Sequence, residues 1–169
     1  MTLHLKSNFD MVDIVDNDFL IPEIQKIISK LLGHPGWLKK TDRIESLILG
    51  FGKKVPNSDA EDGYDPEWSL VIVQAEWRII SDDKLIYASR NLHDLKELNA
   101  ILNKIELGAI VKIEPRGMDI RLWFDNHCFM DVFPTDSESC TIMYLSGLGE
   151  DDSDVITFDI RNRWKIGLD

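Results

Sequence analysis

The chain is poor in the residues that carry most recognisable chemistry. Of its 169 residues two are cysteine, Cys128 and Cys140, and four are histidine. Two thiols make a thin staple, and in a reducing compartment they read as small buried apolar side chains rather than as a disulfide. They fall in neighbouring predicted strands, and the sequence leaves open whether they lie close. His4, His34, His93 and His127 are scattered, and His127-Cys128 with Cys140 offers neither CxxC nor HxxxH spacing, so no metal site is expected. Cations are scarce as well: 19 Lys and Arg stand against 30 Asp and Glu, a formal charge of -11. Such a surplus repels phosphate, which speaks against nucleic acid and anionic membrane as partners. Long apolar runs are missing. Residues 70–73 and 110–111 fall far short of the roughly 18 residues that a membrane span needs. Residues 1–16 carry Asp10, Asp13 and Asp16 where a signal peptide would be basic and then apolar, so the expected address is the cytoplasm.

What is present describes an ordinary globular protein. A hydrophobic fraction of 44% and a charged fraction of 29% are enough for a packed core, and the length suits a single domain over residues 1–169. Ile24, Ile27, Ile28, Leu31 and Leu32 repeat at helical spacing, with Pro22 at the first position and Gly33 after the last turn. His34, Pro35 and Gly36 read as a turn, followed by a strand over 44–51 with Leu47, Leu49 and Phe51 on one face. Residues 53–67 read as a long polar loop. Residues 68–80 read as one strand with apolar residues on both faces, hence a central one, and Ser81-Asp82-Asp83-Lys84 as a hairpin turn into a strand over 85–88. A second helix is expected after the cap Asn91, with Leu95, Leu98, Leu102 and Ile105 on one face and Gly108 as its stop. Strands then follow over 109–114, 119–125, 127–133, 140–145 and 155–160, joined by short links that imply antiparallel pairing. The sum is an α+β fold: a mostly antiparallel sheet with two amphipathic helices packed on it. Its two helix-then-strand halves hint at a weak internal repeat, without residue-by-residue alignment.

No motif points to a reaction. Gly50-Phe51-Gly52-Lys53-Lys54 lacks the earlier glycine and the following hydroxyl of a phosphate loop, and its glycines suit a bulge or bend at a strand end. The acids of residues 59–65 and of Glu150, Asp151, Asp152 and Asp154 lack the spacing of a calcium loop. Catalytic residues, metal and cofactor are all expected to be none. The open alternatives are a small hydrolase with His127 as base, or carboxylates such as Glu76 with Asp119 or Asp131 meeting in the fold. Trp123 is the aromatic that stands out. With Ile120, Leu122 and Phe124 inward, Arg121, Trp123 and Asp125 face outward, where a tryptophan among charges is a typical binding anchor. A sheet covered on both sides would instead put Trp123 beneath a helix.

Residues 68–79 (Trp-Ser-Leu-Val-Ile-Val-Gln-Ala-Glu-Trp-Arg-Ile) and 85–89 (Leu-Ile-Tyr-Ala-Ser), with 107–113, 119–124 and 129–133, resemble a pattern found in small bacterial proteins. These include immunity proteins that accompany toxins, among them those of contact-dependent growth inhibition systems. The resemblance covers residues 47–144 and lies in structural rather than catalytic motifs. It implies a protein that blocks a cognate toxin domain, with no catalytic residues of its own. An acidic chain suits a basic nuclease-like partner. The expected partner-binding residues are therefore Asp59, Glu61, Asp62, Asp65 and Glu67, with Glu150, Asp151, Asp152, Asp154 and the anchor Trp123. A structural or adaptor role is the alternative from another class.

Overall fold

A computed structural model describes residues 21–41, 46–89, 94–135, 141–147, 155–159 and 163–166. Helix α1 (Pro22–Leu31) buries Ile24, Ile27, Ile28 and Leu31, the stripe that its periodicity predicts. Proline opens it at no cost in hydrogen bonding. Gly33 takes φ +83° just past its end, a conformation that costs little without a Cβ. Helix α2 (Leu95–Leu102) buries Leu98 and Leu102, and its cap is Asp94, whose carboxylate accepts from the Lys96 backbone N–H at 3.0 Å. Asn91, the expected cap, lies outside the described residues. Gly108, expected to stop this helix, stands well beyond its end and leads into the next strand with φ +73°.

The strands are β1 (Gly36–Lys40), β2 (Ser46–Pro56), β3 (Tyr64–Val73), β4 (Ala75–Ser81), β5 (Lys84–Ala88), β6 (Ile110–Arg116), β7 (Asp119–Phe124), β8 (Cys128–Pro134), β9 (Thr141–Gly147), β10 (Val155–Asp159) and β11 (Arg163–Ile166). With two helices and antiparallel pairing throughout among the described residues, the fold class is α+β as expected. The strands divide into two sheets, ordered β1-β2-β3-β9-β10-β11 and β5-β4-β8-β7-β6.

Three sequence expectations about the strands need correction. Gly36, assigned to a turn, begins β1. Residues 53–67, assigned to a loop, are mostly strand: β2 runs on to Pro56, β3 begins at Tyr64, and Val55 pairs with Asp65. Polar residues on both faces hide such a hairpin from any hydrophobic pattern. Residues 68–80, assigned to one central strand, are two strands in different sheets. Trp68, Leu70 and Ile72 are buried before Gln74, and Ala75, Trp77 and Ile79 after it. Gln74 takes φ +49° and shifts the alternation by one residue. Each strand is thus buried on one side, and the break carries the chain from one sheet to the other.

One cluster of buried side chains draws on both sheets and both helices, from Ile24 and Leu98 to Phe51, Trp77, Met130 and Phe158. The hinted repeat exists at the level of topology. Exchanging the halves turns β1-β2-β3-β9-β10 into β6-β7-β8-β4-β5, so each half lays a three-strand meander in one sheet and then crosses to the other. A bridge between Pro35 and Ala109 joins the starts of the two meanders. Among the described residues the second half adds a further strand, β11. The helices make their main contacts with the six-stranded sheet, α1 on β10 and β11 and α2 on β1.

Candidate functional site

Alternation in β7 places Ile120, Leu122 and Phe124 in the core and turns Arg121 and Trp123 to the outer face of the five-stranded sheet. The same rule sets Phe129, Asp131 and Phe133 of β8 and Glu76, Arg78 and Ile80 of β4 on that face. Cross-strand register then lines them up. Arg78 pairs with Asp131, Asp131 with Arg121, and Arg121 with Glu114 of β6, a row of alternating charge across four strands. The next row is Ile80, Phe129, Trp123 and Lys112.

Asp131 is the hub. Although charged and only 4% exposed, it accepts from Arg121 Nε at 2.6 Å and Nη2 at 2.9 Å, a two-pronged contact. Arg78 donates to it through Nε at 3.0 Å and Nη2 at 2.9 Å. Burial alone would raise the pKa of this carboxyl, but hydrogen bonds and charge from the two guanidiniums outweigh burial and hold it below the usual aspartate range. The guanidiniums are themselves stacked: Arg121 lies 3.8 Å from the centroid of the Phe129 ring and 5.2 Å from that of Trp123, and Arg78 lies 4.9 Å from that of Phe133. Trp123 and Phe129 pack at 5.2 Å and 46°. The Trp123 indole N–H donates to Glu114 at 3.0 Å. Glu114 also accepts from Lys112 at 2.7 Å and Arg116 at 2.9 Å. Hydrogen bonds from Lys112 and Trp123 outweigh partial burial, and its pKa falls to about 2.

Trp123 is thus half-buried among charged side chains on the outer face, clamped at its ring face and its N–H. Beside it an open depression of about 480 Å³ runs between Arg78, Ile80, Leu85, Arg121 and Phe129. Leu85 and Ile86 of the edge strand β5 are 58% and 47% exposed.

The acidic residues are placed elsewhere and are not equivalent. Asp59, Glu61 and Asp62 stand exposed on the turn between β2 and β3, in the other sheet. Glu61 pairs with Lys40 at 2.6 Å, and that hydrogen bond and charge lower its pKa. Asp65 and Glu67 are half-buried on β3 and tied to the hairpin by hydrogen bonds. Asp65 accepts from the Asn57 amide at 2.5 Å, and Glu67 accepts from the Lys53 backbone N–H at 3.0 Å while lying 3.8 Å from His34. Glu67 also sits where a Cβ on Gly52 would fall, and Gly52 holds φ +79°. That glycine marks the β2 bulge between Phe51 and Lys54, so the Gly-Phe-Gly segment bends a strand, as its composition predicts. Glu150, Asp151, Asp152 and Asp154 lie outside the described residues, as does Cys140. Cys128 is a buried free thiol.

His127 occupies the turn between β7 and β8, exposed and with φ +64°, and does not line the depression. Glu76, Asp119 and Asp131 do share the outer face. Burial and the Asp131 charge raise the pKa of Asp119, partly offset by Arg78. With Asp131 ionised and committed to two arginines, it is poorly suited to trade protons. Among the described residues no group of three His, Cys, Asp or Glu could hold a metal ion, and no helix is long and apolar enough to cross a membrane.

Sequence reasoning singled out Trp123 and set Arg121 outward, but missed Arg78, Phe129, Phe133 and the hub role of Asp131. One signal was available: Asp131 is the lone charge in the apolar run Phe129-Met130-Asp131-Val132-Phe133, and a lone charge in such a strand calls for a buried partner. No family model, curated protein or solved structure matches this chain.

Proposed function

We propose that this chain is a binding protein of the immunity type, which neutralises a cognate toxin domain through the outer face of the five-stranded sheet, with Trp123 as its anchor. One observation carries the reading. Trp123, Phe129, Phe133, Arg78 and Arg121, residue types that dominate interface energetics, share one face, where Asp131 binds both arginines, Glu114 binds the indole, and the guanidiniums stack on the phenyl rings. Side chains already ordered in the free protein lose less entropy on binding. The hydrophobic rim at Leu85 and Ile86 extends the same face.

Charge has a separate task. Asp59, Glu61, Asp62 and the run from Glu150 to Asp154 contribute to a chain of net charge -11, whose field favours encounter with a basic partner without a need for direct contact. The partner class is a basic, nuclease-like toxin domain, and the chain itself supplies no catalysis.

The test uses the C-terminal domain of the protein encoded immediately upstream of this gene, titrated calorimetrically with the full chain. Tight one-to-one binding that Trp123→Ala weakens at least about tenfold supports the reading. Absence of binding to that domain removes the immunity assignment, and binding indifferent to Trp123→Ala removes the proposed face.

A further inference from the structure

Lys39 and Lys40 are neighbours in β1 with opposite surroundings. Lys40 pairs with Ile48 in register and reaches Glu61 at 2.6 Å. Lys39 pairs with Leu49, which is buried in the core, so Lys39 sits on the inward side of the sheet edge. There α2 packs on β1, stitched by Asn99, which accepts from the Thr41 backbone N–H at 2.8 Å and donates to its carbonyl at 2.9 Å. Between these elements a cleft of about 300 Å³ is lined by Lys39, Lys40, Glu61, Asp62, Asn99 and Asn103. Among the described residues the Lys39 ammonium has no hydrogen-bond or ion-pair partner. Burial lowers its pKa, and the Glu106 charge restores only part of the loss.

We infer that Lys39 is a modification site: the lysine, among those described, most ready to accept an acyl group from a small activated donor, an acyl phosphate or thioester, entering the cleft between β1, α2 and the β2–β3 turn. The neutral Nζ attacks the acyl carbon, the N–C bond forms, the C–O or C–S bond breaks, and phosphate or thiolate leaves. The proton released from nitrogen passes to water. The product suits its place, since acylation removes a half-buried charge that has no hydrogen-bond or ion-pair partner among the described residues. Among the described residues the other charged groups lining the cleft are Lys40, Glu61 and Asp62, of which Glu61 is committed to Lys40, and the Glu106 charge acts on Lys39 from nearby. The exposed Asn103 amide at the end of α2 is positioned at the rim, where it can donate to an incoming acyl oxygen. Lys39 takes this role whether or not the outer face of the other sheet binds a toxin.

The experiment treats the full chain with limiting acetyl phosphate at pH 7.5 and reads the acetylated fraction of each lysine by peptide mass spectrometry, folded and in 8 M urea. Lys39 is expected to react at least about fivefold faster than the exposed Lys53, Lys54 and Lys96 in the folded protein, because burial favours its neutral form and the cleft gives a donor access to it. In urea the preference is expected to vanish. A folded-state rate for Lys39 no greater than that of Lys53, or a preference that survives in urea, overturns the inference.

Discussion

The outer face of the five-stranded sheet and the turn between β2 and β3 both display charge, and they use it in opposite ways. On the sheet, Asp131 is buried, Glu114 is half-buried, and each holds an aromatic-flanked cation or indole in a fixed position. Those charges act at short range in a poorly solvated layer, where Coulomb terms are strong and each lost partner leaves a penalty. On the turn, Asp59, Glu61 and Asp62 lie in water. Their interactions are screened within about 10 Å at ordinary ionic strength, so they affect encounter more than stability. The number of carboxylates says little about where binding energy resides; burial and register say more.

Experiments that break the sheet network should have the largest effects. Asp131→Ala leaves two stacked guanidiniums without their counter-ion. Because Arg78 is 46% exposed, the expected loss is about 2–3 kcal/mol, somewhat below that for a fully buried pair, read from urea denaturation at pH 7. Trp123→Ala should cost about 2 kcal/mol or more of partner binding, with a smaller loss of folding stability, which separates a binding anchor from a core residue. Gly52→Ala probes the hairpin where it is rigid: φ +79° and contact with Glu67 predict a loss of about 1 kcal/mol or more, measured as a shift in thermal midpoint.

Acid titration sharpens the same contrast. Glu114 has its folded pKa depressed from 4.5 to about 2. It therefore contributes stability that is complete above about pH 4.5 and is lost as pH falls toward 2. Asp131, also depressed, acts in the same direction below its unfolded value of 3.8. Stability should thus decline between about pH 4.5 and 2, and Glu114→Gln should flatten that decline. The smallest effect on folding belongs to the turn. Reversing Asp59, Glu61 and Asp62 together to lysine should lower the unfolding midpoint far less than Asp131→Ala does, slow association with a basic partner at low salt, and lose that effect on association at high salt. A stability loss matching that of Asp131→Ala would abolish the distinction between the two regions.

Much of the fold is visible in local chemistry. Pro22 and Gly33 mark the ends of α1, Asp82 and Asp83 make the turn into β5 with φ +48° and +60°, and the alternation of residues 119–124 sets Trp123 outward. The hairpin beyond Gly52 escaped because its stability lies in pairing and side-chain hydrogen bonds, not in an apolar face. The strand break at Gln74 escaped because a one-residue phase slip looks like two-sided burial. Of the candidate site, Trp123 and Arg121 could be read from β7 alone, whereas Arg78, Asp131 and Glu114 come from three other strands.

The amino-acid sequence by itself determined the two helices, the antiparallel α+β class and the face of β7 that Trp123 shares with Arg121, because these follow from periodicity and turn chemistry within a few residues. Only the tertiary structure decided that the strands form two sheets with exchanged halves, and that four strands bring a charge ladder into register. Pairing joins residues as distant in sequence as Arg78 and Asp131, and no local pattern records which strand will lie beside which.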